Sequence, residues 1–146
     1  FGGDNHNDST LEGEAAQTRR GINTIGLLWQ ELRDADIQDE VTFAMMNVFG
    51  REMQRNQRGG RDHNRHHSVM LAFGQGVQGG VFGGLTSRGR AQNINRRTGQ
   101  GLDQGGVGYR ETLESAGKSL ALALGYDRAT IEHRIHGGQF IEAFSA

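Results

Sequence analysis

The chain has 146 residues, enough for one domain with its own hydrophobic core. Its formal charge of −1 gives no general attraction to nucleic acid, and no apolar run is long enough to predict a membrane span. Cysteine is absent, which excludes a disulfide scaffold, and Lys118 is the only lysine beside many arginines.

The chain opens with a polar cluster that carries metal-binding side chains. Phe1-Gly2-Gly3 resembles the end of a strand, and Asp4 and His6 follow within one loop. Carboxylate oxygen and imidazole nitrogen are ligands that borderline divalent metals take from proteins. This start has neither an initiator Met nor signal-peptide features. We therefore expect residues 1–146 to be the C-terminal part of a single domain in a longer protein.

Helical periodicity follows this opening loop. Ser9-Thr10-Leu11-Glu12 has the spacing of a capping box, and residues 12–36 place apolar side chains on one face. Residues 41–46 and 68–73 are short apolar runs without clean alternation, which is typical of strands buried on both faces. These elements predict an α/β protein with a central, mostly parallel sheet covered by helices.

A second polar cluster, Gly59-Gly60-Arg61-Asp62-His63-Asn64-Arg65-His66-His67, precedes the second of these strands. Its two glycines permit a tight loop. We expect its aspartate and two of its histidines to meet the opening Asp-x-His at a centre for one or two divalent ions, Zn²⁺ or Mn²⁺. A polar surface loop rich in histidine is the alternative. The candidate ligands are Asp4, His6, Asp62, His63, His66 and His67.

Arginines surround the second cluster at spacings of three and four residues. Gly59-Gly60 interrupts any helix there, and no aromatic residue between Arg51 and Arg65 could stack on a base. We therefore expect no nucleic-acid binding. Arg61 and Arg65 are instead candidates for holding an anion, because the guanidinium fork matches the oxygens of a phosphate or sulfate group.

The middle of the chain is rich in glycine. Residues 74–79 match the letters of a dinucleotide-binding fingerprint, but residues 80–84 cannot open a helix and no acidic residue follows at the required distance. We therefore predict a glycine-rich turn there, followed by a short extended piece over residues 81–85. Residues 86–108 are polar and predict a long surface loop.

The last third predicts two helices and a strand. A helix over about residues 109–124 ends at Gly125, which suits a C-terminal cap. Asp127 is expected to cap a short helix, and residues 140–144 predict an edge strand. The two histidines of this tail, His133 and His136, are interpreted as exposed surface residues.

Four separated motifs resemble one bacterial family. They are Phe1-Gly2-Gly3-Asp4-Asn5-His6, Phe49-Gly50-Arg51-Glu52, Gly60-Arg61-Asp62-His63-Asn64 and Gly79-Gly80-Val81-Phe82-Gly83. That family is catalogued as domain of unknown function 1501, and it resembles the alkaline-phosphatase/sulfatase superfamily. The resemblance implies a three-layer α/β sandwich with a metal site at strand ends. Asp4 and His6 look like ligands of one ion, Asp62 and His63 like a shared pair, and His67 is favoured over His66 as the third histidine.

The resemblance implies two alternative functions. The first is a metal-dependent hydrolase of phosphate or sulfate esters, of which this chain is the C-terminal half. The second is a non-catalytic scaffold component of an envelope-associated assembly. In both cases an upstream half of the same protein, or another chain, is expected to complete the sheet, and the nucleophile of the enzyme would lie there. Many family members carry an upstream export signal, so we expect a location in the periplasm or cell envelope.

Overall fold

The computed structural model describes residues 4–145, and its longest element is the helix α1 (Glu12–Asp34). The helix itself is confirmed, but the capping box is wrong. Leu11 stands at the N-cap position with a φ of 61° and makes no side-chain cap. Asp8 Oδ2 instead accepts a hydrogen bond of 2.8 Å from the Glu14 backbone N–H. A carboxylate there satisfies a free N–H and complements the helix dipole.

The strands of residues 4–145 form three separate two-stranded sheets, all antiparallel. The strands are β1 (Thr42–Met46), β2 (Gly50–Arg51), β3 (His63–Asn64), β4 (Met70–Gly74), β5 (Asn93–Ile94) and β6 (Gly101–Leu102). β1 pairs with β4, β2 with β3, and β5 with β6. The α/β sandwich of the alkaline-phosphatase/sulfatase type, with a central and mostly parallel sheet, was therefore a wrong prediction.

The connection between the two longest strands explains this error. Parallel strands need a crossover of a dozen or more residues, which usually contains a helix. Residues 47–69 contain no helix and include the β2–β3 pair. β4 consequently returns antiparallel to β1, with Thr42 opposite Gly74 and Met46 opposite Met70. The expected full burial of these strands is also wrong, because no residue of β1 or β4 is fully buried and Met46 is half exposed.

The β1–β4 sheet separates two packing regions. On one face, Trp29 of α1 meets Phe73 edge to face with ring centres 5.3 Å apart, and Phe43 stacks on the same ring at 5.1 Å. On the other face, Met70 and Ala72 pack against the buried core. The sheet is thus covered on both sides by contacts from a single chain, although its outer positions remain open to solvent.

The core gathers residues from the last third of the chain. Val107 is fully buried, and Ile141 and Phe144 pack beside it. Val107 also exchanges two backbone hydrogen bonds of 2.9 Å with Ile94 of β5. The segment 86–108, which was expected to be a surface loop, therefore contains the β5–β6 pair and the most deeply buried apolar side chain of this core.

The C-terminal helices are α2 (Thr112–Ala123), preceded by a 3-10 turn (Tyr109–Glu111), and α3 (Arg128–Arg134). Both predicted boundary signals are confirmed. Gly125 adopts a φ of 86° and its N–H bonds to Leu122 O, as a left-handed C-terminal cap requires. Asp127 caps α3 by accepting a 3.0 Å hydrogen bond from the backbone N–H of Thr130, and hydrogen bonds from Thr130 hold the pKa of this carboxyl below its usual value.

One expectation for this region is wrong. Residues 142–144 form a 3-10 turn (Glu142–Phe144) instead of an edge strand. The fully buried residues of α2 are the polar Ser115, Lys118 and Ser119, while Leu120 and Ala123 are partly buried against the core and Leu113 is 64 % exposed. None of the helices within residues 4–145 has both the length and the apolar character to cross a membrane.

The polar face of α2 holds the C-terminal tail through buried hydroxyls. Ser119 Oγ donates to Ser115 O at 2.7 Å and accepts the Ile141 N–H at 2.8 Å. We expect Ser119→Ala to lower the free energy of unfolding by about 1–3 kcal/mol, because a buried N–H loses its acceptor. The exposed Ser87→Ala is the control and should change stability by less than about 0.5 kcal/mol in urea denaturation. Equal effects of the two changes would contradict this role.

Candidate metal centre

The opening loop and the loop before β3 are joined through their backbones. The N–H of Arg61 donates to Asn5 O at 3.1 Å, and the side-chain amide of Asn56 donates to His6 O at 3.1 Å. Gly60 allows this approach, since a Cβ at its position would overlap the carbonyl oxygens of Asn5 and His6. Two clusters separated by about fifty residues of sequence therefore share one surface.

His6 lies at the centre of this surface, with a partner on each ring nitrogen. Its Nδ1 is 2.6 Å from Asp4 Oδ1, and its Nε2 is 3.4 Å from Arg51 Nη1. Since a guanidinium can only donate, Nε2 of His6 is the acceptor of the Arg51 hydrogen bond. Nδ1 of His6 therefore carries the ring proton and donates a hydrogen bond to Asp4. The His6 backbone N–H also donates to Asp4 at 3.0 Å and lowers the pKa of that carboxyl. Asp4 is thus an ionised carboxylate at neutral pH.

Asp62 and His63 lie on the other side of His6. Asp62 Oδ1 is 4.0 Å from His6 Nε2 and accepts a 2.7 Å hydrogen bond from the Asn56 side chain. The His63 ring centre is 4.7 Å from that of His6 and stacks on Phe49 at 3.7 Å. The structure therefore brings four of the predicted ligands together, with Asp4 joined to the group through His6.

The other two histidines make different contacts. His67 is only 6 % exposed, its Nδ1 is 2.8 Å from Gly89 O, and its ring covers Gly50. His66 is partly buried and its backbone N–H donates to Asn64 Oδ1 at 2.8 Å. Within residues 4–145, no three His, Asp or Glu side chains stand at the mutual distances of a formed metal site.

The two arginines predicted to hold an anion are placed differently from expectation. Arg61 forms an ion pair with Glu14 of α1, in which Nε donates to Oε2 at 3.1 Å and Nη2 contacts Oε1. Arg65 is exposed, and its carbonyl accepts a hydrogen bond from the Tyr109 hydroxyl at 3.0 Å. Neither side chain lines the open pocket beside His6.

That pocket has a volume of about 600 Å³. Its lining residues are His6, Arg55, Asn56, Gln57, Arg58 and Asp62. It therefore combines two of the predicted ligands with two arginines to which the sequence assigned no role. Its polar lining and its volume, within the range of small-molecule sites of about 300–1,000 Å³, suit a small charged ligand.

Sequence reasoning missed Asn56, which organises the pocket. Its amide donates to Asp62 and to the His6 carbonyl, and its Oδ1 accepts the Arg58 N–H at 2.9 Å. Its backbone N–H also donates to Gly60 O at 2.7 Å, which closes the turn. The sequence contains a signal for this role, because an asparagine placed three residues before Gly59-Gly60 is typical of a side-chain-stabilised turn.

Comparison with known proteins supports one family assignment. Residues 2–100 match the family described as protein of unknown function (DUF1501), a range that contains every candidate ligand. The comparison with curated proteins found no match, and neither did the comparison with solved structures. Because the matched range covers more than half of the chain, the protein belongs to the DUF1501 family of proteins of unknown function.

Proposed function

We propose that His6, Asp62 and His63 hold a divalent metal ion, Zn²⁺ or Mn²⁺, and that the protein is a metal-dependent hydrolase of phosphate or sulfate esters. The observation that carries this proposal is the approach of His6 Nε2 to Asp62 Oδ1, at 4.0 Å, beside the ring of His63. The proposal includes a relationship to the alkaline-phosphatase/sulfatase superfamily. This relationship concerns the metal chemistry of the site and not the arrangement of the strands.

The distances between these side chains are compatible with a shared ion. Zinc binds histidine nitrogen and carboxylate oxygen at about 2.0–2.2 Å, so two ligand atoms on one ion lie at most about 4 Å apart. Small side-chain rotations would therefore bring Nε2 of His6 and Oδ1 of Asp62 onto the same ion. The stacking of His63 on Phe49 leaves the edge of its imidazole, where the ring nitrogens lie, free of this contact.

Asp4 suits a supporting role better than direct ligation. Metal-binding histidines usually donate their second ring N–H to a carboxylate, which fixes the ring and raises its basicity. Asp4 makes that contact with Nδ1 of His6 at 2.6 Å. The Asn56 amide similarly orients Asp62. When bound, the ion would neutralise charge on the ester oxygens, while these residues keep the ligands in position.

Arg51 opposes metal binding in the described arrangement. Its guanidinium points at Nε2 of His6 and also donates to Arg61 O at 3.0 Å. One lone pair cannot serve a guanidinium and a metal ion together, so Arg51 must turn away. We expect Arg51→Met to tighten Zn²⁺ binding by roughly tenfold, because a like charge near the ion is removed.

Titration calorimetry measures this effect, with circular dichroism as a check that the variant is folded. Arg51→Lys retains the positive charge and is the matched control, for which we expect a smaller change. A folded Arg51→Met protein with unchanged or weaker Zn²⁺ affinity would show that Arg51 does not compete for His6.

The hydrolase proposal is tested with chromogenic phosphate and sulfate monoesters. The purified full-length protein, including the upstream half expected to carry the nucleophile, should hydrolyse at least one of them after addition of Zn²⁺ or Mn²⁺, and a chelator should abolish the activity. His63→Ala should remove turnover while the protein stays folded, whereas His133→Ala, which changes an exposed histidine of the tail, should not. Absence of activity with either metal, at a protein concentration that binds the metal, would reject the hydrolase.

One observation favours the second function, a non-catalytic scaffold in an envelope-associated assembly. Apolar side chains beyond the end of the β1–β4 sheet are open to solvent, including Val48, which is 93 % exposed, and Val69. The N–H of Asn47 donates to Val69 O at 3.1 Å, so these side chains occupy one end of the sheet. Exposed apolar patches often mark protein interfaces. A metal-free, inactive protein that forms defined oligomers would support this alternative.

A further inference from the structure

We propose that Arg55 and Arg58 form an oxoanion-binding site in the pocket beside His6. The site would take the phosphate or sulfate group of a small ester, or the corresponding free anion. This inference extends the proposed hydrolase function, because it names the residues that recognise the charged end of the substrate. It assigns recognition to a pair of arginines other than Arg61 and Arg65.

Arg55 is held in place without losing its charge. Its Nη1 donates to the carbonyl oxygen of Ser9 at 2.7 Å, and its side chain lines the pocket. A guanidinium has five N–H donors, so one bond to a neutral carbonyl leaves the others available. An arginine fixed in this way loses less side-chain entropy when it binds an anion.

Arg58 is positioned by the turn rather than by its own side chain. Its backbone N–H donates to Asn56 Oδ1, and Gly59 closes the turn with a φ of 85°. Within residues 4–145, the Arg58 guanidinium makes no hydrogen bond or ion pair. The turn thus presents a second cation to the pocket that Arg55 lines.

The neighbouring charges favour these two arginines over Arg61. The Arg61 charge is neutralised by Glu14, with which it forms a two-point ion pair. Arg55 and Arg58, by contrast, form no ion pair with an acidic side chain within the described residues. Two cations on one pocket can bind a tetrahedral anion through charge-assisted hydrogen bonds, which are stronger than neutral ones.

Asp62 limits the affinity of this site and links it to the metal proposal. Its carboxylate lines the same pocket and repels an anion when no metal is present. A bound cation would reverse that repulsion, so the anion and the metal should strengthen each other's binding. Oxoanion binding without metal is therefore expected to be weak but measurable at low ionic strength.

The test is calorimetric titration of the purified protein with inorganic phosphate, inorganic sulfate and phenyl phosphate, in a chelator and at low salt. We expect saturable binding of at least one of these anions. Arg58→Gln should weaken it by roughly fivefold or more, since one charged donor is lost. Arg55→Gln should weaken it similarly, with thermal unfolding used to verify that the protein remains folded. Arg97→Gln, at another exposed arginine, is the control and should bind like the wild type.

The outcomes separate this inference from the hydrolase proposal. If none of the anions binds, or if Arg58→Gln and Arg97→Gln bind equally well, the oxoanion site is rejected. Phenyl phosphate that binds at least as tightly as inorganic phosphate supports an ester site, whereas binding of the inorganic anions alone supports a free-anion site and rejects an ester site. The chelator excludes metal from this assay. The anion-binding result therefore tests the arginine pair even if the metal-dependent hydrolase proposal is rejected.

Discussion

Gly60→Ala is expected to lower the free energy of unfolding by about 2–4 kcal/mol, because the added methyl group has no space. A Cβ at this position would overlap two backbone carbonyl oxygens, those of Asn5 and His6. Backbone atoms cannot rotate away as a flexible side chain can. The opening loop would therefore have to separate from the turn that carries Arg61, with loss of the hydrogen bond between Arg61 N–H and Asn5 O.

Gly79→Ala is the matched control for this change. Gly79 has no positive φ, and a Cβ there would meet nothing within 4 Å. We expect it to alter stability by less than about 0.5 kcal/mol. Chemical denaturation followed by circular dichroism measures both variants. If Gly60→Ala were as stable as Gly79→Ala, the close contact between the two loops would be wrong.

His67→Ala is expected to destabilise the protein by about 2–3 kcal/mol while leaving its metal affinity within roughly twofold of the wild type. The imidazole is buried, it contacts Gly89 O through Nδ1, and it fills the space above Gly50. Removing it leaves a cavity beside the β2–β3 pair. The Gly89 carbonyl would still accept a hydrogen bond of 3.1 Å from Asn64, so the cost is mainly lost packing.

The neighbouring histidine provides the control for this prediction. His66 is only partly buried, so His66→Ala should change stability by less than about 1 kcal/mol. Urea denaturation and metal titration of both variants check the prediction. A stable His67→Ala protein that no longer binds metal would restore His67 as the third histidine ligand, as the family resemblance implied.

Local signals allowed several elements to be predicted. The apolar periodicity of α1, the glycine that ends α2 and the aspartate that caps α3 each act within a few residues of sequence. The pairing of β1 with β4 could not be derived in this way. Both strands read as apolar runs, and only the path of residues 47–69 decides that they run antiparallel.

The candidate site was predictable in part. The motifs indicated which side chains carry metal-binding chemistry, and the structure places Asp4, His6, Asp62 and His63 around one another. The roles of the arginines depend on partners remote in sequence. Arg61 pairs with Glu14, 47 residues away, a contact that spacing along the chain could not reveal.

Long-range packing also determines which of the two adjacent histidines is buried. His66 and His67 are neighbours in sequence, but only His67 reaches Gly89, 22 residues further along the chain. The sequence could nominate both as ligands because their chemistry is identical. Burial against Gly50 distinguishes them, and burial of this kind follows from the path of the β2–β3 pair.

The most direct test of the metal centre is the binding of Zn²⁺ and Mn²⁺ to the purified protein, measured by calorimetry and by elemental analysis after dialysis. We predict saturable binding of at least one of these ions to the wild type and a loss of roughly 100-fold or more in affinity for His6→Ala and His63→Ala. Asp4→Asn should lose roughly tenfold, as expected for a residue that orients His6. A folded wild-type protein that takes up neither ion, or histidine variants that bind as well as the wild type, would contradict the metal centre.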